Sequence, residues 1–274
     1  MKAIVEIKGG FGNQIFQYAF SNHLKNLGYK VSVNIQTSLN SKGILNSRQF
    51  GFKQANKASI IFFRLFYRII KSNKTNYLLE PIISSFFTKF SNLKNFNQNN
   101  SKYLSHFDGY WQDMEIFTNE KEYIIRSLIK SNNLFNSVNG SAPKGSTLFH
   151  IRRGDYKIVN EELGIKYYQE ALKVCNEKIN NFSYEIFTDD PSWVHEQEVF
   201  SKAKGIHGPT DDLILDISKM LNFENYVISN SSFSLVIASI SERKGSTIIT
   251  PSPWMKNSFR DLKINENWLK LKNY

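Results

Sequence analysis

Short apolar runs alternate along this chain with longer stretches whose apolar positions recur every third or fourth residue. Ala3 to Ile7 alternates like a strand and runs into a glycine-rich turn, Lys8-Gly9-Gly10-Phe11-Gly12. Asn13 reads as the N-cap of a helix that places Ile15, Phe16, Ala19, Phe20, Leu24 and Leu27 at helical spacing and stops at Gly28. Val31 to Ile35 is a second strand. The result is a β-α-β unit whose glycine loop meets a helix N-terminus, where N–H groups and the helix dipole favour an anion. Residues 36–57 are polar and loop-like. Ile60 to Ile70 and Ile82 to Phe90 predict two core helices; the alternative for this region is a basic amphipathic surface that touches anionic lipid. Residues 91–102 read as a loop, 115–135 as a helix, and 136–145, with Pro143, as a linker.

The second half alternates more cleanly. Thr147 to Phe149 is a short buried strand, Tyr167 to Ile179 a helix, Tyr184 to Thr188 a strand and Ser192 to Phe200 a helix. Asp211 to Leu221 is helical, Tyr226 to Ser229 a strand, Ser231 to Ile240 a helix and Thr247 to Thr250 the last strand. This order predicts a parallel sheet covered by helices, in which ligands sit beyond the carboxyl ends of the strands.

At 274 residues the chain can bury one large or two medium α/β cores, and 41% apolar with 22% charged residues is a globular balance. The net charge of +11 favours an anionic partner. Nucleic acid is not expected, because the lysines are scattered and no zinc-finger, RNA-recognition or helix-turn-helix signature appears. A single cysteine, Cys175, rules out an internal disulfide and, with no Cys/His cluster, points to a reducing compartment. No stretch approaches the roughly 18 to 20 apolar residues that span a bilayer, so the expectation is a soluble or peripheral protein in the cytoplasm.

Four loops carry candidate chemistry. In His150-Ile151-Arg152-Arg153-Gly154-Asp155-Tyr156, two guanidiniums, a turning glycine and an acid make a cradle for a diphosphate, since the planar fork of Arg donates parallel bonds to phosphate oxygens. Asp189-Asp190 and Asn230-Ser231-Ser232-Phe233-Ser234 also fall at strand ends, the latter as a second anion hole at a helix N-terminus. Phe107-Asp108-Gly109-Tyr110-Trp111-Gln112-Asp113 sets aromatic faces beside carboxylates, as a sugar ring requires. The glycine turn is neither a dinucleotide fingerprint nor a P-loop: Ile15 stands at the third glycine position, the second strand carries Asn34 instead of an acid, and no Gly-Lys-Ser/Thr follows. No Asp-x-Asp occurs, so no metal and no other cofactor is expected.

Together, and in this order, these loops resemble the α-1,2-fucosyltransferases of glycosyltransferase family 11. Gly10-Phe11-Gly12-Asn13-Gln14-Ile15-Phe16-Gln17-Tyr18-Ala19 is similar to the family's N-terminal motif. His150 to Tyr156 is similar to its His-x-Arg-Arg-x-Asp motif, shared with α-1,6- and protein O-fucosyltransferases. Thr188-Asp189-Asp190-Pro191-Ser192-Trp193 and Ser229 to Ser234 match two further blocks. Leu235-Val236 stands where the family often has a Trp pair, and Asn225 where it often has a His. The resemblance implies an α/β, GT-B-like fold of two Rossmann-like domains facing each other across a cleft, with residues 1–142 on the acceptor side and 143–274 binding the donor. It implies inverting, metal-independent transfer of L-fucose from GDP-fucose to the 2-hydroxyl of a terminal galactose on a surface-polysaccharide unit. A fucosyltransferase of another linkage and a non-catalytic GDP-sugar or glycan-binding protein are the alternatives. Arg152, Asp155 and Asn13 take catalytic parts, Arg152 meeting the charge on departing GDP and Asp155 orienting the Arg loop. His150, Arg152, Arg153, Asp189, Asp190, Asn230, Ser231, Ser232 and Phe233 bind the donor. Gln14, Tyr110 and Gln112 face the acceptor, and the general base is open among Asp108, Asp113, Glu161, Glu162 and the substrate itself.

Overall fold

The structure, a computed structural model, describes residues 1–35, 45–62, 65, 87–91, 96, 103–131, 142–256 and 262–273. The chain divides into two compact units, Met1–Ser131 and Asn132–Tyr274.

The first unit is built on four parallel strands, β1 (Lys2–Ile7), β2 (Lys30–Ile35), β3 (Phe87–Phe90) and β4 (Leu104–Phe107), in the order β2-β1-β4-β3. Register lines up Val33, Val5, Phe107 and Phe90 in one buried row. Against it lies α1 (Phe11–Asn26), whose Phe20 meets Phe107 edge-on at 5.4 Å and stacks on Trp111 at 4.4 Å. A second helix, α2 (Met114–Ser131), packs on α1 through Phe16 and Phe117. Because α1 already begins at Phe11, capped by the extended Gly10, Asn13 lies in its first turn and is not the N-cap. Gly9, at φ 79°, turns the chain sharply enough to let the helix start three residues earlier than a cap at Asn13 implies. Residues 87–90 form a strand where a core helix was expected, because their alternation is read by pairing with β4. Residues 57–62 are helical, yet Ile61, Phe62 and Leu65 are 57, 47 and 52% exposed, so this part does not build the core; the rest of the expected helices lies outside the described residues. Among the described residues no helix is long and apolar enough to cross a membrane.

The second unit holds six parallel strands: β5 (Ser146–Ile151), β6 (Ser183–Thr188), β7 (Ile206–His207), β8 (Asn225–Val227), β9 (Ile248–Ser252) and β10 (Leu269–Lys272), in the order β10-β9-β8-β5-β6-β7. Its helices are α3 (Gly154–Ile158), α4 (Ile165–Lys178), α5 (Pro191–His195), α6 (Leu213–Met220) and α7 (Ser232–Ser241). All six residues of β5 are buried, as a strand with neighbours on both edges and helices on both faces requires. Phe149, Ile151, Tyr167, Tyr168, Ile186, Val227 and Ile249 form its core. The helix expected over Ser192 to Phe200 is split into α5 and a 3-10 turn, Glu198–Phe200, and α3, β4, β7 and β10 were not anticipated. Asn225 joins strands at their amino ends: its Oδ1 accepts from Thr247 N at 2.8 Å and its Nδ2 donates to Ser146 O at 3.3 Å. Leu235 and Val236 are fully buried in α7, so both departures from the family pattern serve packing in this chain.

In the second sheet the direction of strand addition reverses once, between β5 and β8; in the first, β1 leads outward to β2 on one side and β4 is inserted on the other, between β1 and β3. At such a switch point the loops leaving the two strands part and open a crevice. The four chemistry-bearing loops follow β4, β5, β6 and β8, and the glycine turn follows β1.

Two glycines with left-handed backbones separate strain from space. Gly28 (φ 88°) ends α1 with nothing within 4 Å of where a Cβ would stand, whereas a Cβ on Gly145 (φ 75°), at the entrance to β5, would lie 2.2 Å from Asn181 O. Gly28→Ala is expected to cost about 1 kcal/mol, the backbone strain alone. Gly145→Ala adds a collision with main chain and is expected to cost at least about 3 kcal/mol in urea unfolding. Equal losses would contradict this reading.

Candidate active site

In the second unit β5 ends at Ile151 and delivers two arginines side by side. Gly154 follows because a Cβ there would come within 2.6 Å of Asp189 Oδ2. That close approach lets the Asp189 carboxylate accept from two successive main-chain amides, Arg153 N at 2.8 Å and Gly154 N at 3.0 Å, while pairing with Arg152 Nη1 at 3.0 Å. The other face of Arg152 is taken by Asp155, whose Oδ1 accepts from Nη2 at 2.6 Å and Nε at 3.1 Å. Arg153 lies flat over the Trp193 ring, 3.9 Å from its centroid, and its Nε reaches Asp190 Oδ2 at 3.2 Å. Lys157 Nζ reaches the same oxygen at 2.7 Å, and this bond, with those from Trp193 N and Arg153, holds the Asp190 carboxyl below its ordinary range. Asp190 Oδ1 caps α5 through Trp193 N. Asp189 and Asp190 are thus spent on holding the Arg loop. Three cations (Arg152, Arg153, Lys157) face three carboxylates (Asp155, Asp189, Asp190), and Asp155 is the loosest of these, its side chain 66% exposed against 18 and 20% for the others.

The loop after β8 closes on the loop after β5. His150 is buried, with Nδ1 2.8 Å from Ser229 Oγ. Burial, and then the charge of Arg152, push its imidazole down to about 3, so it is a neutral hydrogen-bonding strut under the loops and no charged ligand for phosphate. Tyr156 OH donates to Asn230 O at 3.1 Å, tying the end of the Arg motif to the start of the serine motif. Ser231 caps α7, its Oγ accepting from Phe233 N at 3.3 Å, and Phe233 lies 5.7 Å from the His150 ring. Asn230 is 1% exposed; its Nδ2 donates to Glu161 O at 2.7 Å, while its Oδ1 has no partner among the described residues. A buried amide oxygen left in this way is ready for a ligand N–H or O–H. The arrangement offers an arginine with N–H donors to spare and a helix N-terminus, on two loops joined by His150–Ser229 and Tyr156–Asn230 at the switch point.

In the first unit the glycine turn meets the loop after β4. Gln17 clamps both, its Oε1 accepting from Lys8 N and its Nε2 donating to Gly109 O. Lys8 Nζ and Lys89 Nζ grip the two oxygens of Asp108 at 2.6 and 3.1 Å. Burial opposes ionisation of Asp108, but the two lysines outweigh it and hold its carboxyl below the usual range. Gln112 Nε2 donates to Asn13 Oδ1 at 2.7 Å. A Cβ on Gly9 would stand 2.9 Å from Asn13 Nδ2 and 3.2 Å from the Tyr110 ring, so Asn13, Tyr110 and Gln112 share one small surface, with Tyr110 39% exposed. Gln14 does not reach that surface. It is 2% exposed and spends its amide on Gly9 O and Leu45 N. Asp113 caps α2 through Ile116 N, and Glu161 is buried, accepting from Lys256 N. Of the four carboxylates proposed as base, Glu162 alone has a buried oxygen, Oε2, without a hydrogen bond.

The loop partners that sequence reasoning passed over are Lys157, Trp193, Lys8 and Lys89. Lys8 adjoins the glycine pair, and Lys157 and Trp193 sit in or beside quoted motifs, so the signal was there; Lys89 is joined only by strand pairing.

The model of glycosyl transferase family 11 matches residues 3–273. The chain belongs to this family. An alpha-1,2-colitosyltransferase of Escherichia coli is 28% identical over 305 aligned positions, covering 98% of both chains. The O-antigen biosynthesis glycosyltransferase WbnK of Escherichia coli is 23% identical, covering 97% of this chain and 99% of that one. Among solved structures, Arabidopsis thaliana FUT1 R284K in complex with GDP aligns with a TM-score of 0.48 and 11% identity, over 90% of this chain and 70% of that one. As a family 11 member the chain is a glycosyltransferase, and its two α/β units on parallel sheets are the build of the GT-B fold.

The neutral His150 gives a pH test. Its folded pKa lies below its unfolded value of roughly 6.5, so the unfolded chain takes up a proton that the native state refuses. Stability should therefore fall as pH drops from about 6.5 towards 3. His150→Gln removes this component, and wild type should lose up to about 1.4 kcal/mol more per pH unit across that window in urea titrations. Parallel profiles for the two proteins would contradict it.

Proposed function

We propose that this family 11 glycosyltransferase moves L-fucose from GDP-fucose, with inversion, to the 2-hydroxyl of a terminal galactose on a surface-polysaccharide glycan. The observation that carries the reading is Arg152, held between Asp155 and Asp189 on a loop that Tyr156 ties to the loop opening α7, at the switch point of the second unit. When the acceptor oxygen attacks the anomeric carbon, its hydroxyl proton passes to a carboxylate base or to the substrate itself, the bond from that carbon to the diphosphate oxygen breaks and negative charge builds on GDP. Arg152 meets it, exchanging its contact with the exposed Asp155 for one with phosphate; Asp189 keeps the guanidinium in place throughout. The α7 N-terminus adds its partial positive charge, and Asn230 Oδ1 takes a donor hydrogen from the nucleotide. Asn13, Tyr110 and Gln112 hold the acceptor on the first unit. Asp108 and Asp190 are poorly suited to act as base, because lysines hold their protons off.

The 2-hydroxyl is favoured by the resemblance to α-1,2-fucosyltransferases and by the α-1,2-colitosyltransferase relative, which also makes GDP-colitose the second donor to test. Peripheral contact with an anionic membrane through the exposed Ile61, Phe62 and Leu65 belongs to the same proposal.

Arg152→Ala should lower kcat/KM by at least about a hundredfold, roughly 2.7 kcal/mol of transition-state stabilisation, in a GDP-release assay with GDP-fucose and terminal-galactose acceptors. Near-normal turnover would remove Arg152 from this part. Full activity is expected in excess EDTA; activity abolished by chelation and restored by a divalent cation would show that a metal, and not Arg152 with α7, neutralises the diphosphate.

A further inference from the structure

Away from the Arg loop, the second unit has an open trough of about 820 Å³. One wall is a single face of α4: Ile165, Gln169, Leu172 and Asn176, spaced four, three and four residues apart. At 1.5 Å per residue these eleven steps span about 16 Å, so the trough is long. The other wall is the stretch from Gln197 to Lys204, and between them lie Phe182 and Tyr184, stacked at 5.5 Å and 10°.

The chemistry of the lining is specific. Three amides point at the space with capacity left. Asn176 Nδ2 donates to Leu172 O and Gln197 Nε2 to Trp193 O, which leaves both carbonyl oxygens, and no hydrogen bond among the described residues engages Gln169. Lys202 and Lys204 are exposed at the far wall. Amides and ammonium groups beside an aromatic pair suit hydroxyl-bearing rings, which offer one apolar face and a rim of donors and acceptors. An extended peptide is less well served. The main chain of β6 is already used here, with Lys204 N donating to Tyr184 O and Ile186 N to Gly205 O, so no strand edge is left to pair with.

The position of the trough also matters. Ile165, at its near end, follows directly on the segment whose Glu161 O receives the Asn230 amide, so the trough begins where the loops of the candidate active site end.

We propose that this trough is a second binding site, for the body of an oligosaccharide chain whose end is presented for transfer. It rests on the reading that the acceptor is a glycan, and it adds a grip on sugars several residues from the reacting one. The enzyme would then favour long acceptors over their isolated terminal sugars.

Ligand-observed NMR can test this on the full chain without turnover, using neutral and uronic-acid-containing oligosaccharides of one, two, four and six residues. At least one series should bind more tightly as length rises from one residue to four. Gln169→Ala combined with Lys204→Ala, both surface changes, should weaken the four-residue member by at least about tenfold, the loss of two polar contacts. GDP affinity and Tm, measured on the same samples, should not move. Binding independent of length, no binding by any member, or equal affinity in the double variant would each overturn the proposal. Loss of GDP binding in wild type with glycan binding intact would instead sink the GDP-sugar reading and leave the trough standing.

Discussion

Two adjacent guanidiniums at the end of a buried strand repel each other and need company. Here that company comes from the next strand: Asp189-Asp190 follow directly on β6, and parallel pairing with β5 brings both carboxylates level with Arg152 and Arg153. Each acid does two jobs. Asp189 binds main-chain amides as well as Arg152, and Asp190 caps α5 as well as holding Arg153 and Lys157. The loop is therefore fixed before any ligand arrives. A site held in advance does not spend binding energy on ordering itself, which is the condition for electrostatic stabilisation of a leaving group. Gly154 belongs to this constraint, since any side chain there would displace Asp189.

The same logic appears twice. Both sheets are parallel, and in both the loops that leave two neighbouring central strands, β1 and β4 or β5 and β8, carry the polar residues. In the second unit the pairing is Arg loop with serine loop, joined by His150–Ser229 and Tyr156–Asn230. In the first it is glycine turn with aromatic-acidic loop, joined by Lys8–Asp108, Gln17–Gly109 and Gln112–Asn13. The chemistry differs because the chemistry of the loops differs. One crevice is lined by arginine and a helix N-terminus, the other by amides and a half-exposed tyrosine.

Much of this was legible before any fold was known. Strand-helix alternation gave the parallel sheet of the second half, and the four ordered motifs led to family 11, which the match over residues 3–273 shows. What was not legible depended on partners distant in sequence. Asp189 and Asp190 looked free to meet a nucleobase; only the register of β5 with β6 shows them occupied by the arginines. Gln14 looked like a ligand-facing amide at a helix entrance, but α1 starts at Phe11 and turns it inward to Leu45. His150 looked like a donor ligand until its burial was seen. β3 was misread because the short alternation Phe87-Thr88-Lys89-Phe90 was absorbed into the longer apolar patch from Ile82, whose strand or helix character a pattern of that length does not decide. The structure divides the polar residues of these motifs between those at the open crevice and those that hold them in place.

The account turns on what Arg152 does when a diphosphate arrives. A crystal structure of the GDP complex measures this directly. The expected result is phosphate oxygens within hydrogen-bonding distance of the Arg152 guanidinium and the N-terminus of α7, with Asp155 released and Asp189 still bound to Arg153 N and Gly154 N. A diphosphate lodged elsewhere, with the Arg152–Asp155 pair intact, would contradict it.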